Sequence, residues 1–166
     1  MPFASYERTD TSRKRESESS FVFLDRSARP EIARVREYLG IAVAHYPDSE
    51  RAELIARLRS GDDVAFRSAT FEVLLHWGLL RSGCHLQPHP DPGTGSMKRP
   101  DFLVTEPGGE EFFLEAVLAG ERDGRSPSAE TIKKTTLDRL DEAAHSSFLL
   151  ARIFHRGGRR NGREAR

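Results

Sequence analysis

Residues 99–119 read RPDFLVTEPGGEEFFLEAVLA. Two apolar runs, each of strand length, flank Pro107-Gly108-Gly109, which has the composition of a tight three-residue turn. Such a loop sets the register. Thr105 faces Glu111, Val104 faces Phe112, Leu103 faces Phe113, Phe102 faces Leu114, and Asp101 faces Glu115. Directly opposed Cβ atoms lie about 4.5–5.5 Å apart. Two carboxylates thereby meet on one sheet face, beside Leu103, Phe113 and Val117. Phe102, Val104, Phe112, Leu114 and Ala116 take the other. Both faces are largely apolar, which predicts a sheet covered on both sides. A loop one residue shorter would slip the register and leave the acids as diagonal neighbours.

Two adjacent carboxylates in a partly buried sheet repel each other. One holds a proton, a cation sits between them, or the strand ends fray and both acids meet water. A cation held by oxygen ligands would be Mg²⁺, Mn²⁺ or Ca²⁺ sooner than Zn²⁺. Glu72 is the third acid of interest. It lies in TFEVLLHW, flanked by apolar residues, with His76 one turn on. A helix packed on the carboxylate-bearing face would aim Glu72 at the same point; a helix with Glu72 at its border would leave it in water.

Outward from the hairpin, the chain reads mostly as helices on the N-terminal side. Residues 1–29 are expected to form a disordered arm, with FVFLD (21–25) a candidate short strand. Pro30 opens a helix that Gly40 should stop, and Asp48-Ser49 can cap a second that ends at Gly61. Asp62 or Asp63 can cap a longer one through TFEVLLHW, the most apolar helix of the chain. CHLQPHP (84–90) is a candidate strand on which His85, Gln87 and His89 alternate. After the hairpin come a helix from Ser128 to about His145 and a strand at 147–154, SFLLARIF. The whole predicts an α/β domain over 30–154, a mixed β-sheet flanked by helices, followed by a basic flexible tail at 155–166.

Basic and acidic residues number 26 each, so no global field recruits a partner. The distribution is uneven. From Ala151 onward there are six arginines against Glu164 alone, a segment suited either to phosphates or to plain solvation. The single cysteine, Cys84, excludes an internal disulfide and a Cys-built zinc site, and fits the cytoplasm. No apolar run is long enough to span a bilayer, so no membrane is expected. Arginines number 22 and lysines four: Lys14, Lys98, Lys133 and Lys134.

An acid on a core helix (Glu72), Pro100-Asp101 opening a strand, a short hairpin, and Glu115-Ala116-Val117 form an ordered set that resembles the PD-(D/E)XK nuclease superfamily. The resemblance covers roughly residues 62–154. It implies a restriction-endonuclease-like core and metal-dependent phosphodiester hydrolysis of DNA or RNA. Asp101 and Glu115 would bind Mg²⁺ or Mn²⁺, and Glu72 would complete the site. The metal would lower the pKa of a bound water and offset charge on the phosphate.

The lysine of that pattern is replaced by Val117, which neither donates a hydrogen bond nor carries charge. The substitute of choice is Lys133, which aligns with Leu137 and Leu140 on the sheet-facing stripe of its helix; Lys134 aligns with Asp138 and Asp141 toward water. The competing reading is a catalytically silent nuclease-like fold that binds nucleic acid or protein, and a third is a plain α/β domain with solvated acids. The short C-terminal end also admits a homodimer.

Overall fold

The computed structural model describes residues 1–93, 95, 99–117 and 127–142. Among them run five helices and three strands: α1 (Ser20–Arg26), α2 (Pro30–Ala44), α3 (Asp48–Arg59), α4 (Asp63–Arg81), β1 (His85–Pro88), β2 (Phe102–Thr105), β3 (Glu111–Leu114) and α5 (Pro127–Glu142). The strands form one antiparallel sheet in the order β1-β2-β3. The fold is mixed α/β. The expected mixed sheet needs a parallel strand pair, and both strand pairs of the described sheet are antiparallel. The strand expected at 147–154 and the tail at 155–166 lie outside the described residues.

The hairpin register is the expected one. Phe102 pairs with Leu114, Leu103 with Phe113, Val104 with Phe112 and Thr105 with Glu111. Glu106 N–H donates to Glu110 O at 2.8 Å, and Gly109 N–H closes the turn on Glu106 O at 2.8 Å. Gly109 takes φ 87°, the left-handed third position that a three-residue hairpin loop requires and that glycine enters without steric cost.

Coverage of the sheet differs from expectation. Leu86, Phe102 and Val104 point at the helices and are buried, whereas Phe113 on the reverse face is 52% exposed and His85 and Gln87 are exposed. Phe112 shares the covered side with Val104 yet is 40% exposed, because β3 is the edge strand farthest from α4. The described helices therefore cover one face only.

Helix α4 is the centre of the packing. Phe66, Ala69, Glu72, Val73 and His76 recur at three- and four-residue spacing and are buried. Asp62 caps the helix by accepting from Val64 N–H at 2.9 Å. Helices α1, α2 and α3 pack on it, as does β1. The core joins Leu39, Val43 and Tyr46, Leu54 and Leu58, and the sheet residues Leu86, Phe102 and Val104 to the α4 stripe. Helix α2 does not stop at Gly40 but runs to Ala44; Gly40 is on its buried face, where a Cβ would meet Met1 Cε at 3.4 Å.

The N-terminal residues also differ from expectation. Residues 21–25 are helical, capped by Ser19, and Phe21 stacks on Phe3 with ring centres 5.5 Å apart. An all-apolar run carries no period by itself; the cap and the i,i+3 packing of Phe21 and Leu24 on the core decide for helix. Residues 1–19, expected to be disordered, are pinned by complementary charges. Arg8 pairs with Asp25 at 2.9 Å, Arg26 with Asp10 at 2.6 Å and with Glu18, and Arg59 donates to Pro2 O at 2.8 Å. Pro2 and Ser27 are fully buried.

Phe102→Ala should lower unfolding free energy by about 3–5 kcal/mol, the usual cost of emptying a buried aromatic site. Phe113→Ala, one position on across the ladder, should cost about 1 kcal/mol or less. Urea unfolding of the two variants checks this; equal losses would mean that the reverse face is covered after all.

Candidate functional site

Glu72 is 4% exposed, and α4 directs it away from solvent between α2 and α3. Its Oε2 accepts from Arg57 Nη1 at 2.7 Å, and its Oε1 from Arg57 Nη2 at 3.0 Å. The Tyr46 hydroxyl donates to the same Oε1 at 2.5 Å. This is a bidentate guanidinium–carboxylate fork with a phenol added, the strongest neutralising arrangement the chain can supply. Arg57 comes from the last turn of α3, and Tyr46 from the bend between α2 and α3. Glu53 Oε1 lies 2.9 Å from Arg57 Nε, an ion pair without hydrogen-bond alignment. The Glu72 bonds hold the Arg57 pKa above its ordinary value, against the pull of burial. Burial, reinforced by the Glu72 carboxylate, pushes the Tyr46 hydroxyl well above 10, so it stays a donor.

His76 follows one turn along α4 and is 3% exposed. Its ring lies 5.0 Å from that of Tyr46 and 5.6 Å from that of Phe102. Its Nδ1 is buried and has no hydrogen-bond partner among the described residues. Burial lowers its pKa below 6.5; Glu72 opposes that shift and His45 adds to it.

The other expected site residues stand apart from this cluster. Asp101 precedes β2, half-buried, and its Oδ2 accepts from Ala116 N–H at 2.6 Å. The carboxylate so ties down the chain just beyond β3, which stops at Leu114. Glu115 is exposed, and Val117 is 73% exposed. Lys133 is half-buried on α5 and makes no ion pair with Asp101 or Glu115 among the described residues. Asp138, on the side of α5 expected to face water, accepts from Glu16 N–H at 2.5 Å and Ser17 N–H at 3.0 Å. Lys98 lies outside the described residues. Of the three alternating residues, His85 and Gln87 share the open sheet face, while His89 leaves the strand at φ 44°.

A three-carboxylate metal centre does not fit this arrangement. A divalent cation at Glu72 would meet the Arg57 guanidinium at the oxygens it needs. Among the described residues no group of three His, Cys, Asp or Glu side chains is placed to hold a metal ion. Sequence reasoning missed Arg57 and Tyr46. One signal was present: Arg57 lies between Leu54 and Leu58 on the apolar stripe of α3, and an arginine there needs a buried acid.

No family model, no curated protein and no solved structure matches this chain. Among the described residues no helix is long and apolar enough to cross a membrane.

Removing Arg57 strands a buried carboxylate, so Arg57→Ala should lose about 3 kcal/mol or more; Glu72→Leu should lose less, because Arg57 is partly exposed and keeps Glu53 beside it. Arg57→Leu combined with Glu72→Leu should lose clearly less than the sum of the single losses; additive losses in denaturant titrations would mean the groups do not interact.

His76 should make stability depend on pH. The unfolded chain takes up its proton near 6.5, the folded chain only at lower pH. Its contribution is therefore complete above 6.5 and declines as pH falls through 6.5 toward the folded value. His76→Leu should flatten that part of the unfolding free energy measured from pH 7.5 to 4.5.

Proposed function

We propose that this chain is a nuclease-like domain that acts by binding a protein segment and does not itself hydrolyse phosphodiesters. The observation that carries the reading is the occupied Glu72 carboxylate: both oxygens are held by Arg57, and one also by Tyr46. The exposed Val117 in the lysine slot agrees with it. The nuclease-like part of the proposal rests on element order and on the hairpin register, whose last described pair is Phe102–Leu114, with Asp101 and Glu115 the residues next beyond it.

A protein partner is favoured over nucleic acid by the use of the arginines. Arg8, Arg26, Arg36, Arg51, Arg57 and Arg59 all donate to carboxylates or backbone carbonyls within the fold. Their donors are engaged within the fold, which leaves them fewer to offer to phosphates. An apolar groove between α1, α2 and α4 is the surface that fits a protein segment.

The hairpin register by itself supports a second reading, metal-dependent cleavage of DNA or RNA through the Asp101–Glu115 pair with Mg²⁺ or Mn²⁺.

Incubation with single- and double-stranded DNA and RNA in Mn²⁺ or Mg²⁺ separates the two. The expected outcome is no cleavage and no metal-induced rise in melting temperature. Cleavage that Asp101→Asn abolishes would overturn the binding-module reading and establish the second.

A further inference from the structure

The groove between α1, α2 and α4 has a volume of about 490 Å³, ordinary for a binding site. Leu24 of α1 forms one wall, Val35, Tyr38 and Leu39 of α2 another, and Phe66 and Leu74 of α4 the floor. Val35 and Tyr38 are half-exposed, so large apolar area meets solvent there. Ile41 of α2 and Phe71 of α4, both exposed, widen the apolar rim. His45 and Trp77 close the far end: their ring centres lie 4.3 Å apart, ten residues past Val35 and eleven past Phe66. At about 1.5 Å per residue the trough is about 15 Å long, roughly three turns of α-helix.

We infer that this groove binds an amphipathic α-helix of a partner protein, one with acidic residues flanking its apolar face. The inference rests on the protein-binding reading above and names the class of segment bound. The lining decides for a helix. An extended segment would bring unpaired N–H and C=O groups into an apolar trough, at a cost of about 1–3 kcal/mol each. The groove has little to pair them with. Its walls are helices, whose backbone groups are bonded internally, and the Thr70 hydroxyl is buried. No described strand lines it. A helix keeps its backbone bonds to itself and presents side chains alone, at three- and four-residue spacing.

The rim decides for acid. Arg34 lines the groove on the α2 side. On α4, Arg67, Leu74 and Arg81 fall along one line at seven-residue spacing. All three arginines are exposed, and none pairs with a carboxylate among the described residues. Arg67 donates to Asp63 O of its own helix, and Arg81 lies over the Trp77 ring at 6.0 Å. The acids of these walls are already engaged: Asp25 with Arg8 at 2.9 Å, Glu31 with Arg29 at 2.8 Å, and Asp63 with Ser20 N–H at 2.7 Å. Glu37 is turned about 200° round α2 from Val35. The groove is thus apolar within and positive at both rims, so a helix with basic flanks is repelled and one with acidic flanks is drawn in and oriented. A concave trough walled by three helices also suits a cylinder better than a planar bilayer.

The test selects displayed random peptides of about 15 residues, long enough for a marginal helix, on the full chain. Peptides that also bind Val35→Asp with Tyr38→Asp are first depleted. The expected survivors carry apolar residues at helical spacing beside Asp or Glu, and gain helical circular dichroism on binding. Arg34→Glu with Arg67→Glu leaves the apolar lining intact and should weaken them about tenfold or more. A survivor with its acids changed to Lys should regain affinity for that variant. Survivors that bind extended, or that carry basic flanks, would overturn the inference and leave the protein-binding reading standing. No peptide that tells the chain from the depleting variant would overturn both. Two further outcomes overturn the inference by naming another occupant. One is binding to phosphatidylserine vesicles that Arg34→Glu with Arg67→Glu abolishes, which assigns the groove to an anionic membrane. The other is a dimer in sedimentation that Val35→Asp with Tyr38→Asp dissolves, which assigns it to a second copy.

Discussion

A carboxylate placed in the middle of a helix bundle has to be neutralised before anything can pack around it. Glu72 is that carboxylate, and the Arg57–Tyr46 fork is its answer. The fork takes one group each from α3, α4 and the α2–α3 bend, so it fixes how three helices meet. Burial of the carboxylate, beside a half-buried guanidinium, makes the arrangement costly to break and gives it directional demands that aliphatic packing lacks. His76 and Phe102 complete the same layer through ring contacts with Tyr46, which carries the constraint from the helices to the sheet.

The strong preference for arginine over lysine follows a related logic. Arg51 donates to Val43 O, Ala44 O and Tyr46 O, closing carbonyls that the end of α2 leaves open. Arg36 donates to Leu24 O and Ser27 O at the end of α1, and Arg59 reaches Pro2 O and Met1 O. Each uses a planar fork to satisfy several acceptors at once, which an ammonium group on a flexible stem does poorly. Arginine in this chain therefore acts as a tertiary adhesive at several points of the described fold. The N-terminal residues show the same point: their charges look like those of a solvated arm, but Arg8, Arg26, Asp10, Glu18 and Asp25 are partners.

The sheet and the groove show where apolar surface was placed without a described cover. Phe113 stands half-exposed on the open face of the sheet, and Val35 and Tyr38 stand at the groove rim. Folding stability gains little from such residues where they stand, so their presence has to be read through what they meet.

The hairpin was legible in the sequence because its cause is local. Pro107-Gly108-Gly109 selects the loop, the loop selects the register, and the ladder observed is the one counted from the turn as far as the Phe102–Leu114 pair. The Asp62 cap and the α4 stripe were legible for the same reason: their signals lie within a few residues of one another. Glu72 was singled out for its place among apolar neighbours, but neither its burial nor its partner could be read from spacing. Sequence spacing says which face a side chain takes; it does not say which distant group meets it there. Arg57, fifteen residues away on another helix, reached the carboxylate first and supplied the cation that the acid's position demanded. Only the packing of α3 against α4 decides that, since charge compensation acts through space and leaves no period in the chain.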